Sequence, residues 1–465
     1  MKIDVMMPLI KSQFIQTVKN GDSAIIWHSL FGYPKIVSID TLNFLELFSE
    51  QSTIHSRIGD ELTEENQRAI NELLRCYFLI RKDFEDRSLL KEKMRERETE
   101  ITNGSLIDYL ELIISEACNF RCTYCIHFNN LETSNRINNP KKFMQFDTAK
   151  EAVDWYLSIL RDHGKRTAEI NFGGGEPLLA WPVIKRVLEY CRMAYDSKFE
   201  FRFSINTNAS LITSEIATAL KEFHVEIASS LDGLRKGNDC VRLTKSGDST
   251  FFQIMRGFKT LARAGYPLDG FAVTITEKNF YEIDDSIIDW AATHDMKNVR
   301  IDIDVVGMME IPVEDIVAKL MRIRRYAMIQ KIDIPGFWSR PAENLNESIL
   351  ESHVAFCGAV RGNSICVSPS RNIYGCGYST TQLGNLAEIQ SFYVRNTAYH
   401  RFVKNHFTGT IERCKGCIIE GQCGGGCNIS YEFSKITNTM KVERMCEFYR
   451  KATKEILHEQ LQDVE

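Results

Sequence analysis

The sequence predicts an α/β fold built on a partial (β/α)6 TIM barrel, with a winged-helix domain before it and a cysteine-rich domain after it. Three observations predict this. From Tyr109 to Ile329, short apolar runs and helical patterns alternate six times. The first 85 residues read instead as three short strands followed by helices. Of the fourteen cysteines, eight lie beyond Pro341.

At 465 residues the chain exceeds one ordinary domain and suggests roughly two to four. Hydrophobic residues make up 44%, enough for proper cores. A net charge of -5 gives no basic face, so no nucleic-acid partner is expected. No apolar run approaches the ~18–20 residues of a membrane span, and no membrane partner is expected. Met1-Lys2-Ile3-Asp4 does not open a signal peptide. The protein is therefore expected to be cytoplasmic, where clustered cysteines bind metal more often than they form disulfides.

In residues 1–85, Ser12–Lys19, Ala24–Leu30 and Lys35–Ile39 read as strands. Asn20-Gly21-Asp22 and Gly32-Tyr33-Pro34 separate them. Asp40-Thr41 can cap a helix through Phe48, and Thr63 a second whose apolar stripe runs through Ile70, Leu73, Leu74 and Phe78. Three strands with following helices suggest the winged helix. Residues 86–108 are dense in charge and read as a charged helical linker. Opposite charges three apart, such as Glu92 and Arg95, support a helix there, while like charges four apart, such as Glu92 and Glu96, work against it.

Residues 109–340 carry the alternation. Tyr109–Ile114, Ala168–Phe172, Glu200–Ile205, Val225–Ser229, Phe271–Ile275 and Val299–Val305 are the strand candidates. The helical patterns are Thr148–Arg161, Trp181–Tyr195, Ser214–Phe223, Phe251–Ala264, Tyr281–Thr293 and Val313–Ile329. Such alternation implies parallel strands joined by crossover helices, as a partial barrel or an open sheet. Residues 341–465 lack aliphatic runs for a large core, a deficit that metal staples would make up. A terminal helix, Glu443–Glu459, would pack back on the barrel.

Cys118, Cys122 and Cys125 follow the first strand, with three and then two residues between them. Three thiolates so close can hold a four-iron cluster and leave one iron open. A zinc knuckle short of one ligand is the alternative. After the second strand comes Gly173-Gly174-Gly175-Glu176-Pro177, where glycines admit close backbone approach and the carboxylate suits an ammonium. Motifs following the ends of successive strands favour one shared site, as in a barrel.

The CxxxCxxC after the first strand and the GGEP after the second resemble the radical S-adenosylmethionine (radical SAM) superfamily. The likeness covers roughly Tyr109 to Ile329. It implies that the open iron is chelated by the methionine moiety of SAM, and that an electron from the cluster yields a 5′-deoxyadenosyl radical that abstracts hydrogen. It also implies that Gly174, Gly175, Glu176 and Pro177 line the SAM site, with Glu176 on the SAM ammonium and Tyr124 by the adenine. Asn206-Thr207-Asn208-Ala209 resembles the family's TNG, with Asn208 in the pocket and Ala209 in place of glycine. Ser230 would bond the SAM ribose and Arg242 the SAM carboxylate.

Cys414-x2-Cys417-x5-Cys423-x3-Cys427, followed by Cys446, resembles the SPASM domain of peptide-modifying radical SAM enzymes. Zinc is the alternative on spacing alone. The resemblance implies two auxiliary [4Fe-4S] clusters, three in all. Cys414, Cys417, Cys423 and Cys446 would ligate the distal one; Cys357, Cys376 and Cys427 the nearer one. Two departures stand out. Arg371 replaces a usual glycine, and Arg361 sits where some members have a fourth near-cluster cysteine. Cys366 is the remaining candidate, in a predicted strand, Ser364–Ser368. The isolated Cys76, Cys191 and Cys240 read as core residues.

In such enzymes an N-terminal winged helix, the RiPP recognition element, binds a precursor's leader peptide as an added strand. The implied function is maturation of a ribosomally made peptide through a thioether or carbon–carbon crosslink. The implied partners are a leader-bearing precursor and an external electron donor such as flavodoxin or ferredoxin. Asp302 and Asp304, on the sixth strand, are candidate proton acceptors. One alternative is oxidation of a Cys or Ser on a protein substrate, as in anaerobic sulfatase-maturating enzymes. Another, of a different class, is an iron–sulfur electron carrier.

Overall fold

Parallel strands form where the alternating runs place them, in a computed structural model that describes residues 4–59, 63–126, 142–195, 197–305, 307, 310–437 and 440–462. Six strands follow chain order: Tyr109–Ser115, Thr167–Gly174, Glu200–Thr207, Glu226–Ser229, Gly270–Ile275 and Asn298–Ile303. The first four pair in parallel with their neighbours, as do the last two, and a parallel bridge from Ser230 to Ala272 joins the halves. Leu110, Leu112, Ile114, Ile170, Phe172, Ile301 and Ile303 are buried beneath the helices. The alternate residues on the concave side include the half-buried Glu111, Ser204, Thr274 and Asp302 and the exposed Asn206, all polar. One apolar and one polar face is the period of a strand whose inner side lines a chamber.

The outer helices span Phe146–Asp162, Trp181–Tyr195, Ser214–Glu222, Phe251–Arg263, Ser286–Thr293 and Val313–Ile329. The fifth begins five residues later than Tyr281. There the Asn279 amide donates to Thr274 O (3.0 Å) and the chain makes a 3-10 turn, Phe280–Glu282, before the helix.

Ala209 sits in the left-handed region at φ 61°, the conformation a glycine would adopt freely. Its carbonyl oxygen lies 2.0 Å from where a Cβ on Gly257 would be, so Gly257 makes room for it. Ala209→Gly should raise stability by about 0.5 kcal/mol, relief of left-handed strain exceeding the added chain entropy, read as a higher Tm. Arg371 likewise adopts φ 70° and pairs with Glu151 at 2.5 Å, so the arginine keeps the backbone shape of the usual glycine.

In the N-terminal region Ile15–Asn20, Ser23–His28 and Gly32–Ser38 form an antiparallel meander. The third strand starts at Gly32 rather than Lys35; Pro34 is tolerated because the strand lies at the sheet edge. Ser38, not Asp40, caps the following helix, Ile39–Glu46. Thr63 caps Glu64–Arg75. A second sheet of Pro8–Lys11, Ser52–Thr53 and Leu79–Arg81 has strands too short for periodicity to reveal. Ala24 and Ile26 point into this region's own core with Leu9, Leu45, Phe48 and Ile70, while Ile25 and Trp27 pack against Leu345, Leu457 and Leu461.

Asp86–Asn103 is a continuous helix ended by Gly104 at φ 77°. It is not a solvated linker: Leu90 is buried with Leu30, Phe31, Ile349, Val354 and Phe407. Beyond the barrel, Ser364–Val367 adds in parallel beside the first barrel strand and pairs with Asn372–Tyr374. The terminal helix Met440–Gln462 lies along Val313–Ile329, with Arg324 bonded to Glu459 and Lys451 to Glu314. Among the described residues no helix is long and apolar enough to cross a membrane.

Candidate functional site

The loop Cys118–Cys125 leaves the first barrel strand and is clamped by residues 241–244. Arg121 N–H donates to Leu243 O (2.6 Å) and Thr123 N–H to Val241 O (2.8 Å). Asn208 Nδ2 reaches Asn119 Oδ1 at 2.9 Å, tying the loop to the end of the third strand. The Cys118 thiol lies near those of Cys122 and Cys125, and burial pushes its pKa up to about 12. Burial raises Cys122 as well, against the pull of Arg242. Such thiols stay neutral unless a cation replaces their protons, as an iron centre does.

The glycine turn presses on that loop. A Cβ at Gly174 would lie 2.2 Å from Ser115 O, and one at Gly175 2.5 Å from Ala117 O. Gly175 N–H donates to Ser115 O (2.7 Å), and Glu176 N–H to Ala117 O (2.9 Å). The Glu176 carboxylate is fully buried. It accepts from Leu178 N–H (3.0 Å), Thr207 Oγ1 (2.7 Å) and Asn208 N–H (2.8 Å), which leaves about one of its acceptor sites for a further donor. Burial outweighs these bonds and raises its pKa to about 7. Pro177 opens a buried 3-10 turn behind it.

Half-buried Tyr124 forms a triad with the buried Asp232 and Arg242. Tyr124 OH donates to Asp232 Oδ2 (2.5 Å), and Arg242 Nη1 donates to Tyr124 OH (2.7 Å) and Asp232 Oδ2 (3.2 Å). Asp232 Oδ1 accepts from Thr274 N–H at 2.7 Å. Asp232 is thus a partner of Arg242 that the sequence reading missed; its signal was the Asp-Gly pair after the fourth strand. Among the described residues the buried Arg242 Nε has no hydrogen-bond partner, a donor that a ligand carboxylate would satisfy. Ser230 is half-buried on the concave side at the end of the fourth strand.

The C-terminal thiols fall into two groups. Burial raises Cys376 and Cys427, the latter to about 12, and Cys357 adds its field to both. Burial likewise raises Cys423, Cys414 and Cys446; Cys446, Cys414 and Cys417 lie near Cys423. A small cavity is lined by Cys423, Cys427, Cys446 and Tyr449. Among the described residues no three Cys, His, Asp or Glu side chains are set to hold a single metal ion. Cys366 is fully buried in the strand Ser364–Val367, packed with Ile113 and Tyr374. Cys366→Ala should therefore cost about 1 kcal/mol of stability and leave the iron content unchanged, checked by iron assay beside a melting curve.

Glu111 is a second residue missed from the sequence. Its carboxylate fits between two glycines: a Cβ at Gly173 would stand 2.3 Å from Oε1, and one at Gly377 2.7 Å from it. Gly377 N–H donates to Oε2 (3.1 Å). The signal was a lone charge in Leu110-Glu111-Leu112. Asp302 is engaged by Arg300 (2.6 Å) and Phe337 N–H (2.6 Å), and Asp304 accepts from Gly307 N–H (2.8 Å). A groove lined by Lys185, Arg192 and Glu215 lies on the outer helices and holds none of these residues.

Residues 112–287 match the radical SAM superfamily. Over 95% of this chain and 94% of the relative, the sequence is 23% identical to the radical SAM cyclopropyl synthase TigE of Paramaledivibacter caminithermalis. A cysteine-type anaerobic sulfatase-maturating enzyme of Clostridium perfringens is 22% identical over 72% of this chain and 92% of the relative. Among solved structures, the enzyme anSMEcpe with bound AdoMet superposes with TM-score 0.59 at 18% identity, over 75% of this chain and 99% of that one. Streptococcus suis SuiB bound to precursor peptide SuiA gives 0.50 at 15% identity, over 90% and 96%.

Proposed function

We propose that this chain, which carries a radical SAM domain, matures a ribosomally made precursor peptide by closing a thioether or carbon–carbon crosslink. One observation carries the reading: ahead of the barrel stands a folded unit whose strand Gly32–Ser38 pairs on one side only among the described residues. Half-exposed Ile36 lies on that strand. An extended leader can add there as a further strand. On this reading residues 1–85 are a winged-helix recognition element, 86–108 a connecting helix, 109–340 the radical SAM barrel and 341–465 a SPASM domain. The cyclopropyl synthase aligns over the N-terminal unit too, whereas the sulfatase-maturating relative aligns over 72% of this chain.

Cys118, Cys122 and Cys125 would hold the SAM-binding four-iron cluster. Cys357, Cys376 and Cys427 would hold the nearer auxiliary cluster, and Cys414, Cys417, Cys423 and Cys446 the distal one. When bound, SAM and its cluster supply an oxidant able to take a hydrogen atom from carbon. Glu176 and Arg242 would hold the SAM amino and carboxylate groups, Asn208 would fix the cysteine loop, Ser230 would meet the ribose, and Tyr124 would stand by the adenine. A crosslink removes two hydrogens from the peptide: one leaves as an atom to the 5′-deoxyadenosyl radical, the other as a proton, and the remaining electron would pass to an auxiliary cluster. Glu111, with its carboxylate against the Cys376–Gly377 turn, is placed to take the proton. An external flavodoxin or ferredoxin would be the electron donor.

The test is anaerobic co-expression with short reading frames beside this gene, followed by mass spectrometry. The reading predicts a peptide lighter by two hydrogens; an unmodified set of peptides would refute it. Ile36→Asp should reduce modification about tenfold while sparing SAM cleavage. Glu111→Gln should lower crosslinking by about 10²-fold or more, with 5′-deoxyadenosine still formed.

A further inference from the structure

The segment Cys414–Cys423 carries three of the cysteines assigned above to the distal cluster, yet much of what fixes it comes from the other end of the chain. Trp27 Nε1 donates to Ile418 O (2.8 Å). Gly421 N–H donates to Ser29 O (2.7 Å). The Gln422 amide, oriented to satisfy both partners, donates to Ser29 O (3.1 Å) and accepts from Gly32 N–H (3.1 Å). The approach is close enough that a Cβ on Gly421 would fall 1.7 Å from Leu30 O. Glu420, its side chain fully buried, takes a bidentate pair from Arg87 at 2.8 and 2.9 Å and accepts from Gly416 N–H (2.9 Å). Arg87 also donates to Gly409 O (2.8 Å).

The gripping turn is itself braced. His28 Nδ1 accepts from Leu30 and Phe31 N–H (3.3 and 3.2 Å), and Nε2 contacts Asp86 Oδ1 (3.0 Å). Asp86 and Arg87 open the helix Asp86–Asn103, so that helix start holds both the turn and the cysteine segment. Between Cys414 and Cys423 the only helices are single turns, Glu412–Cys414 and Glu420–Cys423, so the loop's shape depends on these outside bonds.

We infer that Trp27, the Ser29–Gly32 turn and Arg87 are positioning residues of the distal cluster site, and that the N-terminal unit completes that site rather than hanging from it as a detachable module. The inference rests on the ligand assignment proposed above. It has a structural corollary: the strand proposed to receive the leader starts at Gly32, inside the same turn. An occupant of that strand and the distal cluster therefore act on one piece of backbone, and coupling between them is reciprocal.

The test uses the full chain, reconstituted anaerobically, with iron and sulfide counts and EPR of the reduced protein. The parent should hold about twelve irons and Gly421→Ala about eight. Arg87→Met, which leaves the Glu420 carboxylate buried and unpaired, should remove or shift only the distal cluster's EPR signal, and Arg87→Lys should restore part of it. Ile70→Ala, a cavity in the N-terminal unit's own core, should leave all three signals in place. Full iron and unchanged EPR in both Gly421→Ala and Arg87→Met would overturn the inference. A parent with only about four irons would instead refute the ligand assignment, and this inference with it.

Discussion

Alanine at Gly175 is expected to abolish SAM cleavage. Its Cβ would lie 2.5 Å from Ala117 O, 2.8 Å from Ala117 C and 3.2 Å from Cys118 Cβ. All three are parts of the turn that aims the first thiol, and two are backbone atoms that cannot swing aside. Relief requires Ala117–Cys118 to move by an appreciable fraction of an ångström or more, away from Cys122 and Cys125. Displacement on that scale at a reacting centre costs on the order of 10²-fold in rate. The variant should also lose about four of about twelve irons while keeping the auxiliary set. Iron assay and 5′-deoxyadenosine formation, measured side by side, check both parts. Gly174→Ala should behave alike, since φ 116° and a 2.2 Å approach to Ser115 O exclude a side chain there.

Glu176→Gln should be the second most damaging change. A buried carboxylate meeting three donors cannot become an amide without turning its NH2 toward one of them. The cost is about 2 kcal/mol in stability, together with a drop in SAM affinity on the order of tenfold or more. The same residue sets a pH dependence. Burial raises its pKa from 4.5 to about 7, so its neutral form is favoured in the folded protein. Its contribution to stability is complete below 4.5 and is lost as pH rises through about 7, a change of roughly 3 kcal/mol. A bound ammonium favours the ionised form and works the other way. SAM affinity should therefore rise as pH passes upward through about 7, and Glu176→Gln should flatten that rise. Equilibrium dialysis of SAM across this range measures it.

The barrel was legible because each strand carries its own period-two apolar face, and Leu110, Leu112 and Ile114 lie as that pattern requires. The run Cys118, Cys122 and Cys125 was legible from spacing, whereas the approach of Cys427 to Cys357 was implied only by the family resemblance. Contacts between distant segments were not legible. Asp232 and Tyr124 are 108 residues apart, and no local pattern predicts that they hydrogen-bond. Glu111 could be noticed as a charge in an apolar run, but Gly173 and Gly377, which admit it, belong to two other elements. The helix Asp86–Asn103 reads as solvated because its buried residues, Asp86, Leu90 and Ile101, are few and spread over four turns. The grip of Trp27 on Ile418 joins the two ends of the chain across 391 residues, beyond the reach of any sequence period.

The most direct test of the account is reductive cleavage of SAM by the anaerobically reconstituted chain. Dithionite-reduced protein should release 5′-deoxyadenosine and methionine in equal amounts, and Cys118→Ala should release neither. Protein with its full iron complement that binds SAM yet forms no 5′-deoxyadenosine would contradict the assignment of Cys118, Cys122 and Cys125 as the site where the radical begins.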